Sequence, residues 1–330
     1  MIVDDPVSRL AEASPFEADR VYGPQWWDEL YDREGDDAEH CRGALAVVHG
    51  GCALYTLLVV TGPARGRLVR VDLDGGLAPL VLDDVDFLAW YERWLDDVIA
   101  GYGTTFFHDR LLGGEVAFVA GARDADPARR ARAVSSFNAL PEVSEAGRRA
   151  VVAAVGDPDA RVRAAALWTA RRLRIGEAVS AVRGALTHPE AETRRMALGT
   201  LSALGCADLP GLARGLLADP VGAVVAAAVL ALQEAGALTV ADVAPLVRSV
   251  DVGVRVAAVH GLREAHGDVT GLVAGALADP EARVRWTAVQ AAEKRGLSGL
   301  RPVLARLLEA EEDPTVLVNL RRVVPALEVR

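Results

Sequence analysis

From about residue 113 to the end of the chain, apolar residues recur every third or fourth position, the period of a helix with one buried face. The same phrase also returns along this stretch. "DPARRARAVSSF" begins at Asp126, "DPDARVRAAALW" at Asp157 and "HPEAETRRMALG" at His188. "DPVGAVVAAAVL" begins at Asp219, "SVDVGVRVAAVH" at Ser249, "DPEARVRWTAVQ" at Asp279 and "DPTVLVNLRRVV" at Asp313. Successive starts lie 31, 31, 31, 30, 30 and 34 residues apart. A period of this length marks a repeat array, in which each unit buries its apolar face against its neighbours.

Each repeat carries its own punctuation. Asp, His or Ser at the start is expected to cap a helix, with Pro in the first helical position, where its missing N–H costs nothing. The apolar stripe follows, for example Val162, Ala166, Ala170 and Leu173. Gly176, Gly205, Gly236, Gly267 and Gly296 are expected to end these helices in the left-handed conformation. A second amphipathic helix, as in "GLARGLLA" or "GLVAGALA", completes the unit. A helix–turn–helix unit of this length resembles HEAT-type repeats of the short kind common in bacteria. The resemblance covers residues 113–330, about seven helix pairs, and implies an all-α solenoid.

Two rows run along the array. Arg132, Arg163, Arg194, Arg255 and Arg285 stand five positions after the motif proline or its equivalent. They are candidates for phosphate binding, but HEAT-type repeats use such an arginine in a structural ladder with the neighbouring repeat's capping Asp. The second row lies six and ten positions after the proline, off the apolar stripe of the second helices, and carries Trp168, Arg195, His260, Trp286 and Gln290. In such solenoids the second helices line the concave face, so this row is a candidate binding surface. Its alternative role is to fill gaps between repeats.

The front of the chain follows a different period. Residues 43–49 and 53–61 read as strands rich in β-branched and aromatic residues, and "TGPARG" (Thr61–Gly66) as a turn. Arg67–Asp72 alternates as a third strand, and "LAPLVL" is a candidate fourth. From Asp84 the pattern becomes helical, with Phe87, Leu88, Tyr91, Trp94, Leu95 and Val98 on one stripe and Asp83 or Asp84 at the cap. Gly51–Cys52, Leu57–Thr61, Gly62–Pro63, Gly66, Asp72, Pro79 and the Phe87–Trp90–Trp94 helix resemble the C-terminal half of the SUKH superfamily. That resemblance spans residues 25–102 and implies an α+β fold. Arg70 stands where many relatives have Trp, and the usual N-terminal Leu-Pro helix motif is not evident in residues 1–40. The expected organisation is therefore a SUKH-like α+β domain over residues 1–102, a linker over 103–112 and an α-solenoid over 113–330.

Charge sharpens the contrast between the two parts. Residues 1–112 hold 21 acidic and 9 basic side chains, a net −12, whereas residues 113–330 hold 25 acidic and 27 basic, a net +2. A negative field of this size repels nucleic acid and attracts basic proteins. The three cysteines, Cys41, Cys52 and Cys206, form no disulfide framework. With no apolar leader and no run long enough to span a membrane, a cytoplasmic protein with no membrane partner is expected.

Candidate chemistry is sparse. His40, Cys41, His49 and Cys52 lie close in sequence, but without the paired spacing of zinc sites, so no metal or other cofactor is expected. Asp83, Asp84, Asp86, Asp96 and Asp97 suit a solvated helix N-terminus and face better than acid–base work. No phosphate-binding loop, nucleophile elbow or HExxH motif occurs. The SUKH resemblance implies an immunity protein that neutralises a bacterial toxin by stoichiometric binding. A general scaffold or adaptor is the alternative, and a HEAT-like DNA glycosylase or lyase is the third reading. The expected partner is a protein, a basic toxin domain among the options, rather than nucleic acid. The expected contact residues are Trp168, Arg195, His260, Trp286, Gln290, Asp83, Asp84 and Asp86.

Overall fold

The fold was obtained as a computed structural model and describes residues 9–23, 25–28, 41–74, 76–103 and 110–327. By packing, the chain divides into two units, Met1–Arg123 with Ser135–Ser144, and Asp124–Val134 with Glu145–Arg330.

The first unit contains a four-stranded antiparallel sheet in sequential order: β1 (Ala44–Gly51), β2 (Leu54–Val59), β3 (Leu68–Asp72) and β4 (Leu80–Val81). Strand alternation gives the sheet two apolar faces. Leu57, Val59, Val69 and Val71 point into one core with Phe16, Tyr22, Trp26 and Trp27. Phe16 and Trp26 stack there at 5.4 Å, and Trp27 Nε1 donates to the Leu77 carbonyl at 2.7 Å. Leu68, Leu82 and Trp90 form the second core, with Leu58, Leu80 and Trp94 at its margin. Gly43 joins separate stretches of chain: its N–H donates to Arg9 O, and its carbonyl accepts from Val60 and Thr61.

Helix α1 (Phe87–Ile99) departs from expectation at its cap. Asp86 accepts from the Ala89 N–H at 2.9 Å, not Asp83 or Asp84. Asp84 is instead buried, holding Arg93 through two bonds of 2.7 and 2.6 Å. The first unit also extends past residue 102. Helix α2 (Glu115–Gly121) sets Phe118 edge-on to Phe137 at 5.8 Å, and Leu111 N–H donates to Ser136 Oγ. Residues 113–123 therefore pack with the first unit rather than opening the array. Their sequence is helical, which is why periodicity grouped them with the repeats.

Seven motif helices lie along the described remainder: α3 (Pro127–Ser136), α5 (Ala160–Arg172), α7 (Ala191–Ala203), α9 (Gly222–Glu234), α11 (Val252–Gly261), α13 (Ala282–Lys294) and α15 (Pro314–Ala326). Six helices alternate with them: α4 (Glu145–Ala154), α6 (Val179–Ala185), α8 (Leu209–Gly215), α10 (Val240–Val243), α12 (Thr270–Ala276) and α14 (Arg301–Ala310). From α5 onward each motif helix packs directly on the next, giving a continuous layer with Val162, Ala166, Ala197, Ala228, Ala258 and Ala288 buried within it. These small residues let the helix backbones approach closely.

The repeat boundary differs from the sequence reading in an informative way. In the middle repeats the motif Asp is not the helix cap. The caps of α5, α7, α9, α11 and α13 are Asp159, Glu190, Val221, Asp251 and Glu281. Two residues earlier, Asp157, His188, Asp219, Ser249 and Asp279 each accept from the N–H of that cap residue, closing a short turn. Asp124 and Glu311 close the same turn before Asp126 and Asp313. Only at those two ends is the Asp before Pro a true cap, so the Asp-Pro dipeptide occurs in two registers offset by two residues. Corrected starts are therefore Asp124, Asp157, His188, Asp219, Ser249, Asp279 and Glu311, a more even spacing than the dipeptides give.

The arginine row becomes a ladder once this register is used. Arg130, not Arg132, reaches Asp157 through two bonds of 2.9 Å. Arg163 pairs with Glu190, Arg194 with Asp219, Arg255 with Asp279 and Arg285 with Glu311. Each arginine also donates to two carbonyls of its own turn; Arg194 reaches His188 O at 2.8 Å and Pro189 O at 2.9 Å. Where the row carries Val225, the acceptor position carries Ser249, so neither charge is left alone. These arginines are committed within the array, which removes them as a phosphate-binding row.

At the other helix ends, Gly205, Gly236 and Gly296 take positive φ of 67, 63 and 62°. Gly176 does not; Arg174 adopts φ 52° in its place, and Ile175 N–H still closes the turn on Ala170 O. Gly267 is also left-handed, but lies beyond the end of α11.

Candidate functional site

The second row lies on the motif helices, the first of each pair, and not on the second helices as expected; it stands on the side away from their buried stripe. Trp168 on α5 is 40% exposed, with the Arg172 guanidinium 5.6 Å over its ring. On α7, Arg195 is exposed and pairs with Glu192 at 2.7 and 2.5 Å one turn earlier, which holds the Glu192 carboxyl below its ordinary range. His260 on α11 is half-buried; burial first and the nearby Arg263 second hold its ring below the usual pKa, favouring the neutral imidazole. Trp286 and the half-buried Gln290 stand together on α13. They line a groove of about 570 Å³ whose other side is Pro314, Val318, Asn319 and Arg322 of α15.

Sequence reading missed part of this surface. Leu230 on α9 and Val318 on α15 are exposed on the same rows, and Arg322 occupies the equivalent of Trp168 in the last repeat. The corrected register places all three; the dipeptide register hides Val318 and Arg322, being two residues out there. The completed face joins Trp168, Leu230, Trp286 and Val318 as apolar points set among paired charges. Exposed aromatic and aliphatic side chains spaced along a packed array suit protein contact, because such side chains supply much of the affinity at interfaces. The face supplies no nucleophile–base pair.

Of the front acids, Asp83 and Asp86 are exposed, whereas Asp84 is spent on Arg93 inside the unit. Asp97 is also buried and bonds Arg110, so only Asp86, Glu92 and Asp96 belong to the open side of α1 and its cap. The stripe of α1 is the larger surprise. Trp90 alone among its apolar residues is buried, while Leu88 is 62% and Ile99 84% exposed.

The cysteine–histidine cluster is dispersed in role. His40 lies outside the described residues. Cys41 packs against the first core, and burial pushes its thiol up to about 11. His49 stacks on Tyr55 at 4.6 Å and meets the Cys52 carbonyl at 2.9 Å, while Cys52 sits exposed in the β1–β2 turn with φ 48°. Among the described residues no group of three or more His, Cys, Asp or Glu is placed to hold a metal ion, and no helix is long and apolar enough to cross a membrane.

Comparison with known proteins bears on the array. No curated protein matches the sequence. Among solved structures, the YibA protein of E. coli aligns with a TM-score of 0.52 at 19% identity, covering 67% of this chain and 86% of that one. The CpcE–CpcF complex of phycocyanin lyase from Nostoc sp. PCC7120 aligns at 0.42 and 17% identity, covering 66% and 96%. A designed armadillo repeat protein aligns at 0.35 and 16%, covering 65% and 100%. Of these three alignments, the first is close enough to show a shared fold. A sequence profile described as HEAT repeats matches residues 148–233, so this chain carries HEAT repeats within a mostly helical repeat solenoid, joined to a small four-stranded sheet unit.

Proposed function

We propose that the protein acts by stoichiometric binding of another protein, and that this partner is the basic catalytic domain of a bacterial toxin, which it neutralises. The observation that carries the reading is the net −12 of residues 1–112, in the part of the chain that resembles the SUKH superfamily. Complementary charge accelerates encounter and selects a basic partner, while a few buried aromatic anchors supply most of the affinity. The motif-helix row offers such anchors in Trp168 and Trp286. A scaffold or adaptor role is the second reading, favoured by that same row, whose apolar points belong to the array and need no toxin to explain them.

Co-expression separates the two. Cells producing a basic toxin domain encoded beside this protein's gene are expected to grow when this protein is also produced. They are expected to lose protection when both Trp168 and Trp286 are changed to Ala. Growth arrest despite abundant wild-type protein removes the immunity reading and leaves the adaptor.

A further inference from the structure

We infer that helix α1 is a docking surface for a basic amphipathic helix of the partner, an inference that rests on the protein-binding reading and assigns it a place. The helix carries an apolar arc about half its circumference wide, of which only one edge is used internally. Trp90 is buried on the second sheet core, and Trp94 packs at its margin. Beyond that edge, Phe87, Leu88, Tyr91, Leu95 and Val98 are exposed by 39, 62, 41, 39 and 45%. The exposed part continues the buried part rather than standing apart from it. Tyr91 stacks on Phe87 at 6.0 Å and on Trp94 at 5.8 Å, so the rings run unbroken from the core to the open face. Leu45 of β1, paired opposite Leu58, extends the apolar surface onto the same side of the sheet at 40% exposure.

Charge decides what fits this surface. The exposed charged groups of the helix and its cap are Asp86, Glu92 and Asp96, all acidic. The helix's one base, Arg93, is turned inward onto Asp84, with Asp97 at 3.9 Å. An apolar stripe with carboxylates along its outer edge and at its N-terminal end matches a helix whose apolar face is edged by Lys or Arg. A second copy of this chain would bring the same carboxylates against one another, so self-pairing is disfavoured. The occupant is therefore a basic amphipathic helix, and the acidic charge of the front unit has a specific partner geometry.

Fluorescence anisotropy on the full chain tests this with a synthetic helix of Leu and Lys, Leu on one face. Its controls are a scrambled peptide of the same composition and a version with Glu in place of Lys. The amphipathic basic peptide is expected to bind at least ~10-fold tighter than either control. Leu88→Ser with Leu95→Ser, and separately Glu92→Gln with Asp96→Asn, should each weaken it by ~10-fold, the scale of losing an interface anchor. The Glu92/Asp96 variant should melt with the wild type, and the Leu88/Leu95 variant, which loses some packing at Leu95, is assayed where circular dichroism shows it folded. Trp168→Ala with Trp286→Ala should leave peptide binding unchanged, which separates this site from the array's. Equal binding of the scrambled peptide, or wild-type affinity in the Leu88/Leu95 variant, overturns the assignment to α1 while leaving the co-expression result to judge the function. Self-association that vanishes in that variant would give the stripe to a second copy and likewise overturn it.

Discussion

Gly43→Ala is expected to destabilise the first unit by about 3 kcal/mol, the combined scale of a left-handed non-glycine residue and an overpacked core position. Gly43 adopts φ 61°, and a Cβ there would lie 2.4 Å from Glu12 O, 2.7 Å from Ser14 N and 2.8 Å from Thr61 O. All three are backbone atoms, and Ser14 N–H already donates to Thr61 O, so no side chain can move aside. Gly51→Ala is the control. Its φ of 98° is also positive, but nothing lies within 4 Å of the added carbon, so only the conformational cost of about 1–2 kcal/mol remains. Urea unfolding followed by tryptophan fluorescence reads this unit, since Trp26 and Trp27 are buried in its core. Equal losses for the two variants would mean that the chain crossing at Gly43 is not close-packed.

Arg194→Ala is expected to lower the melting temperature of the array by roughly 5–10 °C, the scale of breaking a well-buried ion pair in a unit of this size. The guanidinium makes two bonds of 2.7 Å to Asp219 and two more to carbonyls of its own turn. Its loss leaves Asp219, whose side chain is 5% exposed, without its counter-charge. The effect has a pH signature. The Arg194 side chain holds the Asp219 carboxyl below its ordinary range, as Arg130 does for Asp157 and Arg285 for Glu311. A depressed folded-state pKa contributes stability that is complete above the unfolded value of about 4 and is lost as pH falls through the lower folded value. The gap between wild type and Arg194→Ala should therefore be widest at neutral pH and close below about pH 4. A gap that stays constant down to acid pH would assign the loss to packing instead of charge.

The array was legible because its signal is redundant: seven copies of one phrase give the period even when single residues mislead. Its register was less so. Asp-Pro can begin a helix or precede its start by a turn, and only the partner of each arginine tells which. The dipeptide register thus points to Arg132 in place of Arg130 and leaves Val318 and Arg322 outside the binding row. The strands of the front unit followed from short β-branched and aromatic runs bounded by turn residues, as both sheet faces are apolar, and only Arg67–Asp72 alternates. The helix beside them could not be oriented from its stripe alone. Periodicity identifies an apolar side, not what covers it, and α1 buries Trp90 while leaving Leu88 and Leu95 open. Asp84 failed as a surface candidate for a related reason: Arg93, nine residues on, was not visible as its partner.

Protein binding, with the aromatic row of the motif helices supplying the anchors, is the function proposed for this chain. It is tested most directly by quantitative affinity capture from the native host, comparing tagged wild-type protein with Trp168→Ala plus Trp286→Ala. Trp168 and Trp286 are 40 and 36% exposed and so partly packed; the variant should melt below the wild type, and the two are compared at a temperature where circular dichroism shows both folded. A partner should be recovered in near one-to-one amount with the wild type and reduced about tenfold or more with the variant, as expected when interface anchors are lost. Equal recovery of that partner by the two proteins would contradict it.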